Sequence, residues 1–234
     1  METGTRRCEC EIRNFHRRIV LTGGPGAGKT AVLEALKHSL CSHVAVLPEA
    51  AGIVFGGGFP RLDTIAARRA AQRAIFHVQR ELETVADDGG ATVVLCDRGL
   101  LDAIAYWPGP QDFWAEVGMT REAALARYDV VIHLRVPDGD HGYGNMNPLR
   151  VESAEQAAAI DERILDAWAQ HPHRYVVDAA DDFVAKVGRV LALVREELPA
   201  CCRRHTRDAL AAVAPVATPR SARAASRSPR PYDA

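Results

Sequence analysis

Eight consecutive residues, Gly23-Gly24-Pro25-Gly26-Ala27-Gly28-Lys29-Thr30, carry the most specific chemistry in the chain. They fill the pattern G-x-x-x-x-G-K-[ST]. Glycines at these places let the backbone curl until successive N–H groups point inward, forming a nest for an anion. A helix starting just beyond aims its N-terminal dipole at the same spot. Lys29 supplies a compact positive charge for β- and γ-phosphates, and the Thr30 hydroxyl is a ligand for Mg²⁺. Only three of the 29 basic residues are lysines (Lys29, Lys37, Lys186). One of the three fills this slot, where a planar guanidinium would not act as a point charge.

Phosphate-bound Mg²⁺ calls for a carboxylate at the end of a neighbouring apolar strand. The run Val93-Val94-Leu95-Cys96-Asp97 supplies one, and Asp97 is expected to hold the ion directly or through water. Arg98 follows at once, within reach of phosphates. A dinucleotide fingerprint, G-x-G-x-x-G with an acidic residue about 20 positions on, is absent. So is Asn-Lys-x-Asp near the fourth apolar run, which favours ATP over a guanine nucleotide. His133, His141, His171 and His173 lack ligand-like spacing and read as structural. Cys8 and Cys10 near one end, with Cys201, Cys202 and His205 near the other, fit no standard zinc spacing; free thiols are the simpler expectation.

The elements that must position these groups follow from periodicity. Apolar runs at 19–22, 44–47, 92–96, 130–134 and 175–177 read as five strands. Unbroken apolar runs are typical of central parallel strands. Between them lie helical patterns at 30–40, 63–86, 100–107, 111–117, 120–127, from Ser153 onward, and from Phe183 to Leu198. The 63–86 helix shows an apolar stripe of Ile75, Val78, Leu82 and Val85, and a basic first half with Arg68, Arg69, Gln72 and Arg73. Ser153 with Gln156 forms a capping box. Residues 52–60, with four glycines and a proline, read as a mobile loop, and 137–150 as a surface loop. Strands alternating with helices imply a parallel sheet covered on both faces, an α/β fold in three layers.

The 234 residues suit one such domain with a remainder. Hydrophobic residues make up 47% and charged residues 25%, which excludes a wholly disordered chain. The formal net charge of −1 gives no global field for nucleic acid or an anionic membrane. No apolar run reaches the roughly 18–20 residues of a membrane span. The polar segment before residue 18 is no secretory leader, so a cytoplasmic protein is expected. The domain expectation is an N-terminal extension over 1–16, the folded domain over 17–198, and a basic, largely disordered tail over 199–234. That tail holds seven arginines and five prolines, and nothing else in the chain argues for nucleic acid.

The chain resembles the P-loop kinases of the nucleoside and nucleotide branch, and more closely the AAA-type P-loop family that groups with bacterial nicotinamide riboside kinase domains. The residues that carry the resemblance are Leu21 to Thr30, Pro48-Glu49-Ala50-Ala51, Asp97-Arg98-Gly99 with Asp102, and His133-Leu134-Arg135. It spans about 17–198. It implies a P-loop NTPase fold with a five-stranded parallel sheet ordered 2-3-1-4-5. It also implies that Glu49, just after the second strand, faces the phosphates and takes the acceptor's hydroxyl proton. The 137–150 segment falls where such kinases carry a lid, so Arg150, and after it Arg135, would approach the transferring phosphoryl group. Relatives often have Arg where this chain has Gly52. Arg61, Arg68, Arg69, Gln72 and Arg73 lie where such kinases place an acceptor, and several arginines would suit an anionic one.

Two functions fit these residues. One is a small-molecule kinase moving the γ-phosphate of Mg-ATP to a nucleoside- or nucleotide-like acceptor. The other is a nucleotide-dependent switch whose loops order around the γ-phosphate. A hexameric AAA motor would need a helical lid domain, for which 17–198 leaves no room. Neither the acceptor nor the oligomeric state is encoded in a motif.

Overall fold

Five strands form one sheet in the computed structural model, which describes residues 16–137, 153–179 and 183–205. They are β1 (Arg17–Thr22), β2 (Val44–Leu47), β3 (Val93–Asp97), β4 (Val130–Leu134) and β5 (Arg174–Val177). Their order is β2-β3-β1-β4-β5, with every neighbouring pair parallel. This is the expected order. Leu21 is in register with Asp97 on one side and Ile132 on the other. The carboxylate that ends β3 therefore sits beside the last turn of chain before the glycine loop.

Alternation along the strands divides the core in two. Ile19, Leu21, Val93, Leu95, Val130 and Ile132 face one layer, with α1 (Lys29–Lys37) and α8 (Phe183–Glu197). Val20, Val94, Cys96 and Val131 face the other. That second layer is built from α3 (Ile65–Asp88), the short helices α4 (Asp102–Tyr106), α5 (Phe113–Val117) and α6 (Arg121–Leu125), and α7 (Ala154–Ala167). The period-2 geometry of a strand sends consecutive side chains to opposite faces, so unbroken apolar runs feed both layers. The Ser153 capping box is present, and Ala157, Ile160 and Ile164 are buried as the helical spacing predicts.

Several expectations need correction. The segment read as a loop over 52–60 begins as a helix, α2 (Ala50–Gly56), which packs on α3 and ends at Gly57 and Gly58. Apolar Ile53, Val54 and Phe55 carry the turn despite Gly52. On α3 the buried positions are Ala71, Phe76, Gln79 and Glu83, while Val85 of the expected stripe is 70% exposed. The helix is turned this way because Glu83 is an interior hydrogen-bond acceptor. It receives Arg127 through Nε (3.0 Å) and a terminal nitrogen (2.7 Å), the Tyr128 hydroxyl (2.7 Å) and Gln79 Nε2 (3.1 Å). Phe183, the first residue of the last helical pattern, is 39% exposed, while Val187, Val190 and Val194 of that helix are buried. The folded unit also continues past Leu198 into α9 (Ala200–His205), with Cys202 buried in the first core layer.

The N-terminal extension with Cys8 and Cys10, the lid segment with His141 and Arg150, and residues 206–234 of the basic tail lie outside the described residues. No described helix is long and apolar enough to cross a membrane.

Candidate active site

The chain from Gly23 to Gly28 wraps the space just past the end of β1, at the carboxyl edge of the sheet. Order β2-β3-β1-β4-β5 makes this the switch point where ligands bind in open α/β sheets. Gly23 has φ 134°, and a Cβ there would lie 2.0 Å from the Leu134 carbonyl oxygen, so only glycine fits. Gly28 caps α1 in the left-handed region with no side-chain cap, leaving the first N–H groups of the helix open to an anion.

Lys29 is buried and donates to the carbonyls of Gly23 and Gly24, both at 2.9 Å. Burial, followed by the nearby Arg98 charge, lowers its pKa to about 8. Both effects are ones that an arriving phosphate would reverse. Thr30 Oγ1 donates to Asp97 Oδ2 at 2.8 Å. The other oxygen, Asp97 Oδ1, is buried without a hydrogen-bond partner. A hydroxyl and a carboxylate side by side, with one buried oxygen unsatisfied, suit a hard divalent cation such as Mg²⁺. Burial raises the Asp97 pKa, against the pull of Lys29 and the Thr30 hydrogen bond, and a cation would restore its charge.

Arg98 has φ 75°, an uncommon conformation for a residue with a side chain. The twist lets its guanidinium reach three partners at once. Nε donates to Glu49 Oε1 at 2.6 Å, and one terminal nitrogen donates to Gly23 O and Asp102 Oδ2, each at 3.1 Å. Glu49 occupies the N-cap position of α2, accepting from Ile53 N through its carbonyl while its side chain makes no cap bond. Burial pushes its pKa up, but Arg98 and Lys29 outweigh burial and hold it below the ordinary range. Asp102 is a buried anchor, not an open carboxylate. It accepts from Thr22 Oγ1 and from Trp168 Nε1 (2.7 Å) as well as from Arg98. Gly99 is required beside it, since a Cβ there would meet Trp168 at 2.8 Å.

Lys29, Thr30, Glu49, Arg98 and Asp102 share one cleft of about 1080 Å³, while buried Asp97 reaches it through Thr30. Lys29, Thr30, Glu49 and Arg98 line its phosphate end, while Phe55, Arg61, Arg68, Gln72, Phe76 and Tyr106 line the far end. The basic cluster expected on α3 is therefore split. Arg69 turns away, donating to Pro108 O (3.0 Å) and Gln111 and stacking on Trp107, and Arg73 pairs with Glu116 (3.1 Å). Arg135 is also withdrawn from phosphates, held by Asp161 (3.2 Å) and Glu162 of α7. In its place the exposed Arg163 of α7 lines the cleft.

Three supporting residues carry no motif of their own. Asp161 Oδ1 accepts from Gly24 N (2.6 Å) and pairs with His133 Nε2 (2.8 Å), and Oδ2 accepts from Val136 N at 3.4 Å. Burial pushes its pKa up, but His133, Gly24 N–H and Arg135 together hold it below the ordinary range. Lys186 of α8 donates to Ala27 O (2.9 Å) and Arg135 O (3.1 Å). Trp168 fixes Asp102. The available signals were small: an acidic residue next to an apolar stripe, and one of only three lysines inside an apolar helix. His133 and His171 are structural as expected. His171 Nε2 donates to Tyr128 O at 2.9 Å, while its Nδ1 accepts from His173 N.

Fold and phosphate loop together define a P-loop NTPase architecture. The model of an AAA domain family matches residues 18–186, and the chain belongs to that family. Among solved structures it is similar to deoxyadenosine kinase from M. mycoides with bound dATP. The TM-score is 0.54 at 16% identity, covering 76% of this chain and 99% of that one. It is similar to thymidylate kinase from Ehrlichia chaffeensis (TM-score 0.52, 15% identity, 77% and 99% covered). Thymidylate kinase from Candida albicans is a third (TM-score 0.54, 16% identity, 78% and 92% covered). At these identities the likeness is one of fold. No curated protein matches by sequence.

Proposed function

We propose that the protein is a kinase that transfers the γ-phosphoryl group of ATP to a hydroxyl of a nucleoside- or nucleotide-like acceptor. One observation carries this reading. The phosphate loop opens into a cleft with a second, walled half, and an ion-paired carboxylate, Glu49, stands at the junction. A switch needs the phosphate loop but not a second chamber. The fold it shares with nucleoside and nucleotide kinases supports the same view.

In this reading the loop N–H groups and Lys29 hold the β- and γ-phosphates, Lys29 exchanging its two carbonyl partners for phosphate oxygens. Thr30 and Asp97 would hold Mg²⁺, which supplies charge neutralisation at those phosphates when bound. Phe55, Phe76 and Tyr106 offer apolar walls to a flat base, and Gln72 an amide for its edge. Glu49, ionised at neutral pH, accepts a hydrogen bond from the acceptor hydroxyl and orients its oxygen toward phosphorus. As that oxygen bonds to phosphorus, the bond from phosphorus to the bridging oxygen of ADP breaks, and the hydroxyl proton passes to Glu49. A weak base suffices, because phosphoryl transfer of this kind is governed by positioning and electrostatics. Arg98 keeps Glu49 charged and aimed. Arg163, and Arg150 of the lid segment, are proposed as contacts to the moving phosphoryl group.

The test is incubation with Mg-ATP and a pooled panel of nucleosides, nicotinamide riboside and nucleoside monophosphates, read by mass spectrometry. One acceptor should gain the mass of a phosphoryl group. ATP binding with no acceptor modified would instead support the switch reading.

A further inference from the structure

At the opposite edge of the sheet from the nucleotide cleft, two distant stretches of chain bring together soft metal ligands. Cys41 and His43 belong to the turn that feeds β2, and Cys202 lies on α9. Their donor atoms, two Sγ and one imidazole nitrogen, all lie within 4.8 Å of one another. Among the described residues no other three His, Cys, Asp or Glu side chains converge in this way. We propose that Cys41, His43 and Cys202 form a Zn²⁺-class metal site that fastens α9 to the sheet.

The geometry fits the ion. Tetrahedral zinc, with Zn–S of about 2.3 Å and Zn–N of about 2.0 Å, spaces neighbouring ligand atoms roughly 3.5–3.8 Å apart. Cys202 Sγ lies 3.8 Å from His43 Nδ1. Cys201 Sγ, 3.9 Å from Cys202 Sγ, lies beside the converging set but outside it, so water would complete the tetrahedron. The chemistry fits as well. Two thiolates and a neutral imidazole match a borderline-soft divalent ion and reject Mg²⁺. They also cancel its charge, so the loaded site is neutral where Cys202 is fully buried.

Position gives the role. The His43 carbonyl accepts from Thr92 N (3.0 Å) and Val93 N (3.2 Å), at the beginning of β3. The phosphate loop lies past the far ends of the same strands, so the metal acts on stability and not on phosphoryl transfer. It clips the six-residue α9, too short to hold by its own hydrogen bonds, onto the start of β2. The ligand set differs from the terminal grouping suggested by sequence: Cys202 meets Cys41 and His43, while Cys8 and Cys10 lie outside the described residues.

The full chain, purified under reducing conditions and stripped with chelator, should bind one equivalent of Co²⁺. The signs are a thiolate-to-cobalt charge-transfer band and tetrahedral d–d bands, both displaced by Zn²⁺. Cys41→Ser and His43→Ala should each weaken Co²⁺ affinity at least about tenfold. Zn²⁺ should raise the wild-type Tm by roughly 5 °C and leave Cys41→Ser unmoved. Cys41 is half-buried in a turn, so this variant stays informative even if Cys202→Ser misfolds. Three results would overturn the site: no charge-transfer band, a band that survives both Cys41→Ser and Cys202→Ser, or a band lost only in the Cys8→Ser/Cys10→Ser double variant. A Cys41–Cys202 disulfide in protein isolated without reductant, with no metal taken up after reduction, would overturn it too.

Discussion

Lys29 and Glu49 stand a few ångströms from the same phosphate space yet are tuned in opposite ways. Lys29 is a cation held in a dry loop, which lowers its pKa to about 8. A bound polyphosphate favours the charged form, so binding takes up a proton wherever Lys29 is neutral in the free protein. Nucleotide affinity should therefore be flat below about pH 7. Above about pH 8 it should weaken by up to roughly tenfold per unit. Isothermal titration across that range checks it, and a flat profile to about pH 9.5 would contradict it. Lys29→Ala should weaken ATP binding by more than about 100-fold, since it removes the loop's own cation, the charge that meets the β- and γ-phosphates. Glu49 is the opposite case, a carboxylate kept ionised by Arg98 and Lys29 against its burial. Glu49→Gln should leave the ATP Kd within about threefold while the transfer rate falls roughly 10²–10⁴-fold. Equal rates for wild type and Glu49→Gln would remove Glu49 from the reaction. At this scale the sequence was strongly informative for the loop, because glycine, lysine and threonine at fixed spacing admit one use. It was weaker for the arginines: Arg69, Arg73 and Arg135 carry the same charge as Arg61 and Arg68, and only their neighbours send them away from the cleft.

Asp161 shows what one element does for another. From α7 it holds the Gly24 and Val136 N–H groups and His133, which joins the loops after β1 and β4 to a single carboxylate. Asp161→Ala leaves two buried N–H groups and an imidazole without a partner. It should lower stability by about 1–3 kcal/mol. It should also weaken ATP binding, because the loop's curl is no longer held before the ligand arrives. Chemical denaturation together with an ATP titration separates the two effects, and an unchanged ATP Kd would make Asp161 purely structural. The elements themselves were largely readable from periodicity: all five strands, the long helix and the Ser153 capping box. What misled was composition. Four glycines and a proline over 52–60 hid α2, which forms because it can pack against α3. The apolar residues of α3 likewise suggested a face that the structure leaves exposed at Val85.

Across the whole molecule, Glu83 ties together segments that sequence keeps far apart. Arg127 and Tyr128 precede β4, and Arg18 is the second residue of β1, 3.8 Å from Glu83. Arg18 donates to Arg127 O (2.8 Å) and to Asp87 (2.8 and 2.9 Å), and the Tyr128 hydroxyl accepts from Leu100 N at 2.9 Å. Burial, then the Glu83 charge, drives the Tyr128 pKa far upward, so its hydroxyl stays a donor at any ordinary pH. Glu83→Ala should destabilise the fold by about 2–3 kcal/mol, because it leaves the buried Tyr128 hydroxyl and the half-buried Arg127 guanidinium without their acceptor. Calorimetry should show Tm falling by roughly 10 °C. A shift under about 2 °C would mean that water or a neighbour replaces the carboxylate.

The amino-acid sequence by itself determined the phosphate loop, the five strands and the α/β class. These rest on local rules: residue type at fixed spacing, and periods of 2 and 3.6. The tertiary structure alone decided which charges face the cleft, that Glu83 and Asp161 are interior hubs, and that Cys202 comes to rest beside Cys41 and His43. Such choices depend on partners dozens to hundreds of residues away. A buried charge is tolerable only where those distant donors converge, and no local pattern records that convergence.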